Sequence, residues 1–385
     1  MTDDESVAAE LSRRVRANVA ELLAEFSALA GSCDPNTTDL GTTDQISMFK
    51  ERLADFVTRF GSMRRTRVAA HVLNGYQRAT DPALTNLAHA CSALELFHAA
   101  ALVHDDIIDE SDTRRHHPTL HTGWGVTLAE QRNGDLPSRR PARLGLAAGL
   151  LGGDVLLVLC ARAIGRVNEP VRERTTEFFQ DVQLRTVVGE FQDVLLEHRR
   201  VNADRSAITS MAVNKTAWYT VIAPMTLATL CAEADDEVLP LLDTVGSAYG
   251  EAFQLLDDLN GLLADSATTG KNPLDDMNTG KATLLHHLVR SHATADELAL
   301  LRQVYGHGHC TESDLTYYRG LVRAHGDRII GELQTLLEGA RVRLREAGFS
   351  GRTIDHIEHE LIPHDRLPVL STERFPPWQR VSTRR

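Results

Sequence analysis

The segment HDDIIDESDTRR, His104–Arg115, places five acidic residues within twelve and closes on Arg114 and Arg115. An apolar, helix-favouring run, LELFHAAALV, leads into it. Like charges one turn apart destabilise a helix, so this crowding points to a bound cation. Asp105, Asp106 and Asp109 have the spacing DDxxD. On a helix Asp105 and Asp109 lie about 40° apart on one face, with Asp106 beside them. Carboxylates so placed suit Mg²⁺, a hard cation that completes its shell with water and substrate phosphate. Guanidinium groups bind phosphate in bidentate fashion, so the same stretch offers metal ligands and phosphate ligands together.

A second segment repeats the combination. FQLLDDLNGLLADSATTGKNPLDDMNTGK, Phe253–Lys281, begins as an apolar helix, sets Asp257 beside Asp258, then turns polar around Lys271, Asp275, Asp276 and Lys281. The chain has only four lysines, Lys50, Lys215, Lys271 and Lys281, among 41 basic residues. A lysine here marks a place that calls for a compact ammonium charge rather than a planar fork. Two helices each ending in an aspartate pair, with cations close by, suggest a bundle-core site. Carboxylates on both sides of a diphosphate would hold Mg²⁺ for heterolysis of a carbon–oxygen bond, where charge builds on the leaving group.

The elements that must carry these clusters are helices. Apolar residues recur at i, i+3, i+4 and i+7 in VAAELSRRVRANVAELLAEFSAL, LTNLAHACSALELFHAAALVH and TEFFQDVQLRTVVGEFQDVLLE, and alternating runs are scarce. The expected fold class is all-α, with a dozen or so helices. Residues 1–45 read as one helix and a polar connector, 46–362 as one domain, and 363–385, with four prolines, as an irregular tail. EQRNGDLPSRRPARLG, Glu130–Gly145, reads as a surface loop. Hydrophobic residues make up 42% and net charge is −12, which supports a packed core and argues against nucleic-acid binding. The five cysteines are scattered without CxxC, as reduced thiols of a cytoplasmic protein would be. The charged N-terminus is unlike a signal peptide, and no membrane span is expected.

Taken in order, these motifs resemble those of the trans-isoprenyl diphosphate synthases, the polyprenyl synthetase family. The likeness runs from about Phe60 to Leu285. It rests on HDDIIDESDTRR followed by HPTLH, on GGDVLL, GEFQD and NKTA, on FQLLDD, and on the TGKNPLDD…GK loop. The resemblance, closest to geranylgeranyl diphosphate synthases, implies an isoprenoid-synthase-type bundle around a deep central cavity, acting as a homodimer on prenyl diphosphates with three Mg²⁺. Asp105 and Asp109 would bind Mg²⁺ directly with Asp106 in support, and Asp257, beside Asp258, would bind the third ion. Arg114, Lys215, Lys271 and Lys281 would contact the allylic diphosphate, with Thr216 and Gln254 near the reacting carbons. MRRTRV, Met63–Val68, stands where the family has GKRxRP. Arg64, Arg65, Arg67, His98 and Arg115 would then bind isopentenyl diphosphate. The second motif departs from DDxxD, reading DDLNG with Gly261 last, which implies a weaker third Mg²⁺ site.

The implied reaction is ionisation, condensation and elimination, with the proton leaving to the released diphosphate. No protein nucleophile is required, and the cavity must be dry. The chain would grow along the helix carrying Asp105. Ala101 and Ala100, four and five residues before it, leave room where bulky aromatics stop short products, and Phe97 would form the floor. A twenty-carbon product is expected. A class I terpene cyclase and an inactive or regulatory subunit of a heteromeric synthase are the competing readings.

Overall fold

The computed structural model describes residues 3–32, 40–114, 117–124, 139–199, 203–263 and 273–362. It is all-α apart from one two-residue ribbon. It divides into two compact units, the first formed by Met1–Asp181 and Ala223–Asp235, the second by Val182–Ile222 and Asp236–Arg385.

The first unit contains α1 (Asp3–Ser32), α2 (Leu40–Thr58), α3 (Arg64–Gly75), α4 (Asp81–Ile108), α5 (Arg139–Ile164), the first part of α6 (Arg172–Arg199) and α8 (Ala223–Cys231). Its centre is α4, which packs against α5, α1 and α8. Thr80 caps it by accepting from the Ala83 amide, and Pro82 occupies the first turn, where no amide partner is lost. Leu87, Leu94 and Leu96 are fully buried along it. Each contributes roughly 1.5–3 kcal/mol on burial, which fixes the helix although its C-terminal end is loaded with acids.

The second unit contains the rest of α6, α7 (Arg205–Ala212), a π-helix (Val213–Ile222), α9 (Leu239–Leu263), α10 (Pro273–Thr279), α11 (Leu284–His292), α12 (Ala295–Val304), α13 (Glu312–Ala324), α14 (Gly326–Glu346) and α15 (Gly351–Leu361). Here α9 is central, packed on the π-helix, α11 and α14. Small residues set these approaches. A Cβ at Gly189 would overlap the main chain of Lys215, one at Gly250 would overlap Ala217, and one at Gly246 would overlap Ile222.

Several boundaries differ from the sequence reading. The helix α2 begins at Leu40, so the connector ends earlier than residue 45. The loop expected over Glu130–Gly145 is helical from Arg139 onward. Pro141 is tolerated because it falls in the first turn, whose amides have no intrahelical acceptor. The aspartates of FQLLDD do not end their helix, since α9 continues to Leu263 through Gly261. The tail from Pro363 lies outside the described residues. Two helices, Asp81–Ile108 and Ala142–Ile164, are long and apolar enough to cross a membrane by length and composition alone, a test that core helices also pass. The first is 72% buried, as a core helix is, and the second 44%.

Candidate active site

Three carboxylates gather at the C-terminal end of α4, the end where the helix dipole disfavours negative charge. Asp109 is its C-cap, its amide donating to the Asp105 carbonyl at 2.8 Å. Glu110 then takes a left-handed backbone, φ 51°, and the chain reverses. The antiparallel ribbon of β1 (Thr113–Arg114) and β2 (His117–Pro118) follows, and Arg114 in β1 bonds back onto α4. Its Nη2 meets Asp105 Oδ2 at 2.7 Å and its Nε meets Asp106 Oδ1 at 2.5 Å. The guanidinium thus opposes the charge that the sequence crowds there.

Asp106 is 1% exposed and its Oδ2 is buried without a hydrogen bond among the described residues. Burial pushes its carboxyl up to about 6, against the pull of Arg114. Sequence reasoning gave Arg114 to a substrate phosphate. The structure engages it with Asp105 and Asp106.

The same unit holds a pocket of about 310 Å³ lined by Arg64, Arg65, Glu95, His98 and Arg114, among others. Arg64 and Arg65 open α3 immediately after Met63, whose φ of 50° turns the chain into the helix. Glu95 accepts from the Thr66 hydroxyl at 3.0 Å. This carboxylate was not singled out by the sequence, where it is one more polar residue on an apolar helix. Arg67 lies on α3 but does not line the pocket. Arg115 lies outside the described residues. Farther down α4, Phe97 is 3% exposed and meets Phe179 edge-on at 6.1 Å. Ala100 is fully buried, while Ala101 is partly exposed.

In the second unit the π-helix carries Lys215 and Thr216. Such wide turns cluster at functional sites. Lys215 Nζ pairs with Asp193 Oδ2 at 2.7 Å and Glu190 Oε1 at 3.1 Å, both on α6. Glu190 and Asp193 lie inside the GEFQD signature, but its spacing alone gave them no role. The Thr216 hydroxyl donates to Gln254 Oε1 at 3.5 Å, and Gln254 Nε2 donates to Asp258 Oδ1 at 2.9 Å. Asp257 is exposed, one residue earlier on α9.

Burial pushes Asp258 up to about 7; the Gln254 hydrogen bond opposes this, and Asp276 and Asp257 add to it. The Asp258 Oδ2 atom is buried without a hydrogen bond among the described residues. The amides of Gly280 and Lys281 donate to the Asp276 carbonyl, and Gly280 has φ 75° as this turn requires. A small cavity, about 40 Å³, brings Asp193, Lys215, Gln254 and Lys281 together. Lys271 lies outside the described residues.

No three carboxylate, histidine or cysteine side chains among the described residues form a finished metal cage. Mg²⁺ does not require one, because it keeps water and takes substrate phosphate as ligands. The donor set fits it: hard oxygens from Asp105, Asp109 and Asp257, and orphaned buried oxygens on Asp106 and Asp258. Among the described residues nothing comes within 4 Å of where a Cβ at Gly261 would sit. None of them therefore bars a third acid there.

Helical units that set aspartate pairs beside guanidinium and ammonium groups define a class of proteins that handle phosphorylated substrates with a hard cation. The particular family follows from comparison. The family model for polyprenyl synthetase matches residues 47–321, and the chain belongs to that family. It is 34% identical over 239 residues to the geranylgeranyl diphosphate synthase of Mycobacterium tuberculosis, covering 61% of this chain and 61% of that protein. The chain therefore spans less than two thirds of that relative's length. It is 29% identical over 192 residues to the (2E,6E)-farnesyl diphosphate synthase of Mycobacterium bovis, 50% of this chain and 47% of that protein. The geranylgeranyl pyrophosphate synthase from Corynebacterium glutamicum, solved in complex with isoprenyl diphosphate and magnesium, matches with TM-score 0.77 at 24% identity. That match covers 92% of this chain and 97% of that one, and is a likeness of fold.

Proposed function

We propose that the protein is a prenyltransferase that condenses isopentenyl diphosphate head-to-tail with an allylic diphosphate, giving geranylgeranyl diphosphate. One observation carries this reading. The basic pocket formed by Arg64, Arg65 and His98 opens beside Arg114, whose guanidinium is bound to Asp105 and Asp106. We read this pocket as the station for isopentenyl diphosphate and the adjoining aspartates, with Mg²⁺, as the station for the allylic diphosphate, the pair that a condensation needs and a cyclase does not.

Asp105 and Asp109 would hold Mg²⁺ in the first unit, and Asp257, backed by Asp258, would hold it in the second, for three ions in all. When bound, the metal would neutralise charge on the departing diphosphate. Within the second unit Lys215, held by Asp193 and Glu190, would supply a fixed ammonium for diphosphate charge, and Lys281 a second. The allylic carbon–oxygen bond breaks, the double bond of isopentenyl diphosphate attacks the cation, and a proton leaves to the released diphosphate. Thr216 and Gln254 support this centre. The buried Phe97–Phe179 pair supports a floor at twenty carbons, and the farnesyl relative marks fifteen as the alternative. The inactive-subunit reading rests on Gly261 alone.

The exposed apolar faces support a homodimer. Leu150, Leu151 and Val158 of α5 are each more than half exposed, as are Leu184, Val187, Val188 and Phe191 of α6. Sedimentation equilibrium would give twice the chain mass; a monomer would contradict this. The buried free thiols of Cys91, Cys160 and Cys231 fit a cytoplasmic location.

The activity is tested by supplying Mg²⁺, isopentenyl diphosphate and allylic diphosphates of five, ten and fifteen carbons in turn, with products read by mass. A twenty-carbon diphosphate is expected. A longer one retains the reaction and removes the Phe97 floor, and a hydrocarbon from an allylic diphosphate alone assigns a cyclase.

A further inference from the structure

The second unit holds another cavity, of about 240 Å³, that shares Ile208, Ala282 and Thr283 with the small cavity beside Lys215 and Lys281. His286, His287, Arg290, Arg302 and His307 line it, and no carboxylate does among the described residues. The one carboxylate acting on His287, Asp204, is committed to capping α7, where it accepts from the Ala207 amide at 2.8 Å. Arg290 and Arg302 stand in the last turns of α11 and α12. An arginine there offsets a helix dipole, which accounts for one cation at each helix end but not for the two converging with three imidazoles on one cavity that no carboxylate lines among the described residues. Burial, with Arg290 and His287 adding, drives His286 down to about 3, so this ring is neutral at pH 7, and the carboxylates of Asp276 and Asp258 act on the cavity only through Tyr305.

We propose that this cavity is a second anion site, taking a phosphate or diphosphate group, and that its occupant acts on the Lys281 turn. The link is short. His286 stacks on Tyr305 with ring centroids 3.7 Å apart, and the Tyr305 hydroxyl donates to the Lys281 carbonyl at 2.8 Å. An anion that draws the His286 ring toward Arg290 moves Tyr305, and Tyr305 holds the turn whose Gly280 and Lys281 amides close on Asp276. The group has two sources: free diphosphate, or a prenyl diphosphate whose first carbons lie on Leu298 and Leu301. The consequence for turnover rests on the proposed function; binding does not.

Hydrogen exchange of the full chain in EDTA, with and without inorganic diphosphate, tests both parts. The wild type should gain protection across residues 279–307, including the Gly280 and Lys281 amides. Arg290→Gln with Arg302→Gln should weaken the diphosphate dependence of that protection at least tenfold, and Arg290→Lys with Arg302→Lys should recover most of it. Equal protection in wild type and the Gln pair overturns the site. Protection that leaves the Gly280 and Lys281 amides unchanged overturns the link. Farnesyl diphosphate in place of inorganic diphosphate separates the sources: tighter binding assigns the prenyl compound, equal binding the free anion. Inhibition of turnover by diphosphate should weaken in the Gln pair, and equal inhibition removes the regulatory consequence while binding still decides the site.

Discussion

Gly261→Asp completes the second aspartate motif and isolates what the missing acid costs. The position is in the last turn of α9, and among the described residues nothing lies within 4 Å of where its Cβ would sit, so the side chain enters without displacing any of them. Without metal the effects nearly cancel. Replacing helical glycine gains about 0.3–0.5 kcal/mol, while repulsion from Asp257 at i−4 and Asp258 at i−3 costs roughly 0.2–0.5 kcal/mol each. With metal they do not cancel. A carboxylate about 6 Å from a divalent ion, acting through water, gains about 1.4 kcal/mol, or about half that after screening by physiological salt. The Mg²⁺ midpoint for diphosphate-supported binding should therefore fall about threefold to tenfold. Calorimetric Mg²⁺ titration with a non-hydrolysable diphosphate analogue reads it, run at pH 8 because burial pushes Asp258 up to about 7. An unchanged midpoint, with unchanged melting temperature, would refute the placement of a metal at Asp257.

Other expectations follow from single observations. Phe97→Ala removes a ring packed edge-on to Phe179, costing about 3–5 kcal/mol in urea unfolding, and should lengthen the product beyond twenty carbons by mass; unchanged length moves the floor elsewhere. Gly189→Ala puts a methyl group into the Lys215 main chain, and should cost at least about 1–3 kcal/mol and lower affinity for the allylic substrate together. His286 titrates well below its ordinary value near 6.5, down to about 3, so the unfolded state takes the proton first. Its contribution is complete above pH 6.5 and declines as pH falls toward 3, by about 2–3 kcal/mol at pH 4.5. Urea unfolding at pH 7.5 and 4.5 should show a smaller acid loss in His286→Gln than in wild type, and an equal loss would contradict the assignment.

The first acidic cluster was legible because its residues are contiguous and the apolar helix before them fixes their face. The partners of Arg114 were not, because its return to Asp105 and Asp106 depends on a reversal at Glu110 and a two-residue ribbon, which no periodicity reports. The scarcity of lysine marked Lys215 and Lys281, and both line one small cavity. Their partners were hidden for a different reason. Glu190 and Asp193 look like the polar face of any helix until the Gly189 approach brings the π-helix against them. The end of α9 was misplaced because the segment turns polar after Asp257 and Asp258. Among the described residues nothing crowds Gly261, and the helix carries the glycine at about 1 kcal/mol and runs on to Leu263.

The central claim is that carbon–carbon bond formation drives diphosphate release. The most direct test follows diphosphate released from farnesyl diphosphate by the pure protein in Mg²⁺, with and without isopentenyl diphosphate. The account predicts that release requires isopentenyl diphosphate and equals, one for one, the geranylgeranyl diphosphate formed. Release at the same rate without isopentenyl diphosphate, or none in its presence, would contradict it.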